Sequence, residues 1–262
     1  MRFITAETKP SNDDGNATLR VACVGLPRCA TSSLQSALQD HLGLGPTMHM
    51  ASIMPSAASL KLAVRATNET NKAARQAMLR ELFSGYNSTC DVPGCLFADD
   101  IIEMYPDIKL VLNQRNSVEA WERSMNDTIR RFHSSTFRVA GYLIPTQSLV
   151  SQYGRAWMDI STRRFGPSAS PLGPEMYHKH NAWVRKLAED NGVQLLEWTP
   201  DMGWDSLCRF LDQPVPEAEF PRLNDTAFMK MLISFMIIRG FLVWAAALLV
   251  PFLLMYAILR MR

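Results

Sequence analysis

Apolar residues fall into three patterns along this chain. Short apolar runs at Val21–Val24, at Ile108–Leu112 (IKLVL) and at Val193–Leu196 predict buried strands. Between them the spacing is helical. Leu34, Ala37, Leu38 and Leu42 recur at i, i+3, i+4 and i+8 and end at Gly43, while Val118, Trp121, Met125, Ile129 and Phe132 stripe a second helix. Further helices are predicted over 71–86, Phe97–Tyr105, about 148–164 as part of an acceptor lid, 175–191 with Gly192 as its stop, and Asp205–Leu211. Residues 133–174, with several Gly and Pro, give the weakest pattern. Strands alternating with helices imply an α/β domain with a parallel sheet flanked on both faces. Ligands in such sheets sit beyond the carboxyl ends of the strands.

The third pattern is at the C-terminus. Gly240–Leu259 is twenty residues without a charge, eleven of them Leu, Ile, Phe or Val. At roughly −0.3 to −0.6 kcal/mol each, those eleven favour bilayer insertion by about 3–7 kcal/mol. The length matches a hydrocarbon core of about 30 Å. Arg239 flanks one end, Arg260 and Arg262 the other, and Trp244 and Tyr256 lie near the ends as interfacial aromatics do. Residues 7–18 are polar and rich in Gly, Pro, Asn and Asp, without the apolar segment of a signal peptide. The expected organisation is a flexible lead over 1–18, an α/β domain over 19–226, and a membrane-proximal segment and transmembrane tail over 227–262, spanning about 240–259. The expected topology is a tail anchor with the domain in the cytosol.

A net charge of +2 over 262 residues offers nucleic acid no electrostatic footprint. Five scattered cysteines, including Cys90 and Cys95, form no zinc pattern and fit a reducing compartment. Five Asn-x-Ser/Thr sequons, at Asn16, Asn68, Asn87, Asn126 and Asn224, read mostly as chance, since Asn126 falls mid-helix. Oligomeric state cannot be read.

The stretch Val21–Leu42 carries the chemistry. The first strand stops at Gly25, a loop of Leu26–Ala30 follows, and Thr31, Ser32 and Ser33 open a helix. First-turn amides without intrahelical partners, a helix dipole, three hydroxyls and Arg28 make a cradle for a phosphate or sulfate group. Aligned from Gly25 with the nucleotide-binding pattern G-x-x-x-x-G-K-[ST], the lysine position is Thr31, which argues against a triphosphatase or nucleotide kinase. Past the second strand, Arg115 points toward the same crevice and can bind a phosphate bidentately, with Ser124 adding a hydroxyl. A surface ion pair of Arg115 with Glu119 or Glu122 is the alternative.

Gly25-Leu26-Pro27-Arg28 followed by Thr31-Ser32-Ser33-Leu34 resembles the phosphosulfate loop of the P-loop sulfotransferase-like family of fungi and other microbial eukaryotes. Gly45–Met50, Asp91-Val92-Pro93, Tyr105–Leu112 leading to Arg115 and Trp121, and Gly203–Cys208 through Phe220–Asp225 resemble that family too. The resemblance implies a P-loop NTPase-like α/β fold of sulfotransferase type and the donor 3′-phosphoadenosine-5′-phosphosulfate. It places the 5′-phosphosulfate on Gly25, Arg28 and Thr31–Ser33 and the 3′-phosphate on Arg115 and Ser124, with no metal required. The acceptor would be a hydroxyl or amine. For the base that takes its proton the candidates are His49, which titrates near neutrality, and then Asp91. Arg28 stands where many sulfotransferases carry lysine, and Ala30 where the family usually carries glycine. The Arg115–Ser124 spacing is one residue longer than typical. A catalytically degenerate nucleotide-binding or interaction module at a membrane is therefore the alternative reading.

Overall fold

A computed structural model describes residues 18–167, 170–223 and 226–260. Nearly all of the expected lead-in, the sequons at Asn16 and Asn224, and Asp225 lie outside the described residues. Five parallel strands, β1 (Val21–Cys23), β2 (Thr47–Met48), β3 (Ser88–Cys90), β4 (Lys109–Asn113) and β5 (Leu195–Trp198), pair in the order β2-β3-β1-β4-β5. After β1 comes α1 (Thr31–Ser36), which widens into a π-helical turn over Ala37–His41. Helices α2 (Met50–Ile53), α3 (Ala57–Asn68) and α4 (Lys72–Phe83) connect β2 to β3, and α5 (Ala98–Met104) precedes β4. Then come α6 (Val118–Asp127), α7 (Ile129–Phe132), α8 (Ser135–Gly141), α9 (Pro145–Phe165) and α10 (Pro174–Asn191). The chain ends with α11 (Gly203–Leu211) after β5 and the 35-residue α12 (Thr226–Arg260).

Strand periodicity sorts the core into two layers. Ala22, Val24, Leu110 and Leu112 face a large core with residues of α3, α5, α9 and α10. Val21, Cys23 and Val111 face a smaller one, where Leu34 and Leu38 meet Trp204, Leu207 and Leu211. The α/β expectation holds, with helices on both faces of a parallel sheet.

Three local expectations change. The third expected strand begins two residues late, because Val193 belongs to a helix stop. Gly192 takes φ 63°, and the Val193 amide donates to the Ala188 carbonyl (2.9 Å), so the chain extends only afterwards. The stripe Val118–Phe132 is two helices, since Thr128 breaks the run at φ −126°, ψ −76° while its hydroxyl donates to the Ser124 carbonyl (2.6 Å). Strands β2 and β3 had no apolar run to announce them. Their buried Thr47 and Ser88 instead satisfy each other, hydroxyl to hydroxyl at 2.7 Å, and the Ser88 hydroxyl also reaches the Leu44 carbonyl.

Helix α12 has two unlike halves. Met229, Ile233 and Met236 are buried in the larger core, on one face at helical spacing. Gly240 passes so close to α8 that a Cβ there would sit 2.3 Å from the Ala140 carbonyl oxygen. Among the described residues the last attachment is Trp244, whose indole donates to the Val139 carbonyl (2.7 Å) and stacks on Tyr142. From there Leu248, Leu249, Val250, Ile258 and Leu259 are exposed. Among the described residues, α12 is the one helix long and apolar enough to cross a membrane.

A buried histidine ties the sheet to α10. His180 has no exposed surface, and its Nε2–H donates to the Val24 carbonyl at 2.7 Å. Burial pushes its pKa down to about 4. Unfolded, the imidazole titrates near 6.5, so only the unfolded state gains a proton as pH falls between these values. The stability from neutral His180 is thus complete above about pH 6.5 and is lost progressively toward pH 4, by roughly 3 kcal/mol. Denaturant titrations at pH 7, 6, 5 and 4 should show this decline, and His180→Gln should flatten it. Equal slopes in both proteins would refute the assignment.

Candidate functional site

Four neighbouring strands deliver the site at their carboxyl edges. The Gly25–Ala30 loop follows β1, His49 follows β2, Asp91 follows β3 and Arg115 lies two residues past β4. These four strands are contiguous in the sheet, so the expected residues meet in one crevice.

The loop is shaped from outside. Four carbonyls in and just before it are taken by donors from other elements: Val24 by His180 (2.7 Å), Pro27 by the Trp121 indole (2.9 Å), Arg28 by Arg115 Nε (2.6 Å) and Cys29 by Asn113 Nδ2 (2.7 Å). Asn113 also accepts from the Gly25 amide through Oδ1 at 2.9 Å. At Gly25 a Cβ would lie 1.9 Å from the Asn113 carbonyl oxygen, which is why no side chain fits there. With those four carbonyls held, the Thr31, Ser32 and Ser33 amides open α1 with no carbonyl partners among the described residues. Unpaired first-turn amides and the positive end of a helix are groups that attract an anion.

Arg28 (φ 70°) and Ala30 (φ 57°) both adopt left-handed backbone to make this turn. Ala30 therefore reaches the conformation a glycine would take, at a cost of about 1–2 kcal/mol. Cys29, between them, is fully buried and its thiol is pushed up to about 12 by desolvation, so it fills space and is no nucleophile.

Arg28 turns toward the following helices. Its Nε donates to the Ser124 hydroxyl on α6 (3.0 Å) and its Nη2 to the Thr226 hydroxyl at the start of α12 (3.0 Å). Arg115, through the bond to the Arg28 carbonyl, lies against the same loop, and the Tyr177 hydroxyl brackets its backbone from α10. Arg28, Arg115 and Ser124 thus form one cluster. The alternative pairing of Arg115 with a glutamate is not found among the described residues.

On the other side stand His49 and Asp91, both buried. His49 caps α2: its Nδ1 accepts the Ala51 amide at 3.1 Å. That bond occupies the Nδ1 lone pair and assigns the ring proton to Nε2. Nε2 lies 3.1 Å from the Thr31 hydroxyl and 3.4 Å from Asp91 Oδ2. Asp91 itself has φ 69°, a conformation that aspartate tolerates better than most residues. The Ser33 hydroxyl accepts from the Leu223 amide at 3.1 Å. The Ser32 hydroxyl makes no hydrogen bond among the described residues.

A cavity of about 250 Å³ opens from this pair. Pro27, His49 and Asp91 form one end, and α2, α7, α9 and α12 form the sides. Helix α9, expected as a lid over about 148–164, is a fixed wall, with Val150, Tyr153 and Trp157 buried against the core. No cluster of three or more His, Cys, Asp or Glu placed to hold a metal ion occurs among the described residues.

Sequence reasoning did not find the clamping residues Asn113, Trp121 and His180, nor the role of α12. Asn113 gave a signal, a polar residue closing an apolar strand. Trp121 stood out only through the family resemblance and its place on a helix stripe, and nothing in the sequence tied His180 to the loop.

A family model described as a sulfotransferase domain matches residues 20–229. The Ava biosynthesis cluster protein M of Aspergillus versicolor is 31% identical over 214 residues, covering 78% of this chain and 80% of that protein. The chain belongs to the sulfotransferase-domain family.

The left-handed Ala30 yields a direct expectation. Ala30→Gly should raise stability by about 1 kcal/mol, against the usual cost of glycine, because it relieves the αL strain. Denaturant midpoints compare the two proteins, and a destabilised glycine variant would contradict the strain.

Proposed function

We propose that this protein transfers a sulfuryl group from 3′-phosphoadenosine-5′-phosphosulfate to an acceptor hydroxyl or amine, while held at a membrane by residues of about 240–259. The observation that carries this reading is the convergence of the first-turn amides of α1, Arg28, Arg115 and Ser124 on a crevice that also holds His49 and Asp91. Two guanidiniums are more than one phosphate needs. They suit a donor with charged groups at both its 5′ and 3′ positions.

In this mechanism the amides and hydroxyls of Thr31–Ser33 hold the 5′-phosphosulfate, and Arg28 stabilises the charge that grows on the departing 5′-phosphate. Arg115, with Ser124, takes the 3′-phosphate. Because arginine stays protonated, Arg28 stabilises charge without supplying a proton. The acceptor oxygen or nitrogen forms its bond to sulfur as the bond from sulfur to the bridging phosphate oxygen breaks. A sulfate ester or sulfamate and adenosine 3′,5′-bisphosphate result.

We assign the acceptor proton to Asp91 rather than His49. With the Ala51 amide on Nδ1 and the ring proton on Nε2, His49 has no lone pair facing the cavity. Its Nε2–H instead orients Asp91 and Thr31, leaving the carboxylate as the group able to accept a proton. The degenerate alternative drew on the Arg115–Ser124 spacing and on Ala30, of which Ala30 has the left-handed backbone that keeps the loop in the shape glycine would give.

Two measurements on the full-length protein in detergent or vesicles test this. Arg115→Ala should weaken adenosine 3′,5′-bisphosphate by about 1.5–3 kcal/mol while changing adenosine 5′-monophosphate far less. Titration calorimetry with both ligands reads the difference, and an equal loss for both would remove the 3′-phosphate assignment. For the base, Asp91→Asn should lower kcat by about 10²–10⁴ with bisphosphate affinity kept, and His49→Gln by less. Wild-type turnover in Asp91→Asn would return the role to another group.

A further inference from the structure

The cavity beside Asp91 has a direction. At its inner end are His49 and Asp91, 5% and 7% exposed. Its sides are apolar and buried, among them Val150, Trp157, Met229 and Met236. Three lining residues reach the surface, Pro55 just after α2 on one side and, on the other, the pair Phe235 (58% exposed) and Arg239 that edges the mouth. That pair lies on α12. The helix starts at the loop, where Thr226 accepts from Arg28, and supplies Met229, Leu232, Phe235, Met236 and Arg239 to the cavity wall. At 1.5 Å per residue, the stretch from Met229 to Arg239 is about 15 Å long. One residue further, at Gly240, the uncharged run begins.

The surface around the mouth is apolar as well. Met231, Ile238 and Leu242 on α12 are more than half exposed, as are Val139 and Tyr142 on and beside α8. Tyr142 and Val139 are tied to Trp244, so they stand at the level where the bilayer-length segment starts. Within the wall, the Trp157 indole N–H is buried without a hydrogen-bond partner. A buried donor of that kind calls for an acceptor oxygen, from water or from a bound molecule.

From this arrangement we infer that the acceptor is a lipophilic, hydroxylated small molecule that partitions into the bilayer and enters along α12. This rests on the sulfuryl-transfer reading above and specifies its acceptor. The hydroxyl goes in first, to Asp91, and the apolar body lies along the Met229–Arg239 stretch. Sulfation replaces the O–H bond by an O–S bond, the proton passing to Asp91, and leaves an anionic ester. The product is thus an amphiphile whose charged end lies at the inner, polar end of the cavity and whose apolar body points to the mouth.

The test uses the full-length protein in phosphatidylcholine vesicles, with 4-alkylphenols from phenol to 4-nonylphenol as probes. Adenosine 3′,5′-bisphosphate binding is measured in the same preparation. Phenol affinity, read by equilibrium binding and corrected for partitioning, should rise about 3–4-fold per methylene over the first several carbons. Phe235→Glu, at the exposed mouth, should weaken 4-nonylphenol at least tenfold and leave bisphosphate binding unchanged, with Phe235→Leu restoring it. Affinity independent of chain length, or Phe235→Glu binding 4-nonylphenol as the unaltered protein does, would overturn the inference while leaving bisphosphate binding and transfer to short phenols intact. Chain-length-dependent phenol binding without bisphosphate binding would instead keep the apolar ligand site and overturn the sulfuryl-transfer reading.

Discussion

A short loop whose shape is set by hydrogen-bond donors from other elements is the constraint on which this structure depends. Left alone, a Gly-Leu-Pro-Arg-Cys-Ala segment has no reason to present its amides in one direction. Here His180, Trp121, Arg115 and Asn113 each take one carbonyl. These donors come from α10, α6 and the end of β4, so the packing of three elements is converted into the shape of seven residues. An unmade hydrogen bond at any of the buried carbonyls would cost about 1–3 kcal/mol, comparable to the strain of two left-handed residues in the loop. The strain is thus held in place by the surrounding fold.

How much could be read from the sequence follows from the range of each interaction. β1, β4 and most helices were legible because their signal is local: periodicity, a Gly stop, an apolar run. The loop was legible for the same reason, since Gly25, Arg28 and the hydroxyls lie within nine residues. β2 and β3 were hidden because two or three residues carry no period, and because Thr47 and Ser88 are buried polar groups that satisfy one another. Arg115 could be placed from its position past a strand. The choice between His49 and Asp91 could not, because it turns on one amide, that of Ala51, occupying one imidazole nitrogen.

The long C-terminal helix illustrates the difference between composition and context. Its apolar residues read as one segment, yet Met229, Ile233 and Met236 belong to the core of the domain and Leu248 onward does not. Nothing in hydropathy separates the two halves. What separates them is whether a neighbour exists: α8 lies along the first half as far as Trp244 and stops there.

The bond between Arg28 and Thr226 joins residues 198 positions apart. Such a contact closes one of the longest loops the chain can make, and the entropy of that closure is met only when the last helix docks. During synthesis, then, the sheet can form while the first loop still waits for its final partner. The Arg28 contact in the crevice is complete only once the helix that carries the bilayer-length segment is seated.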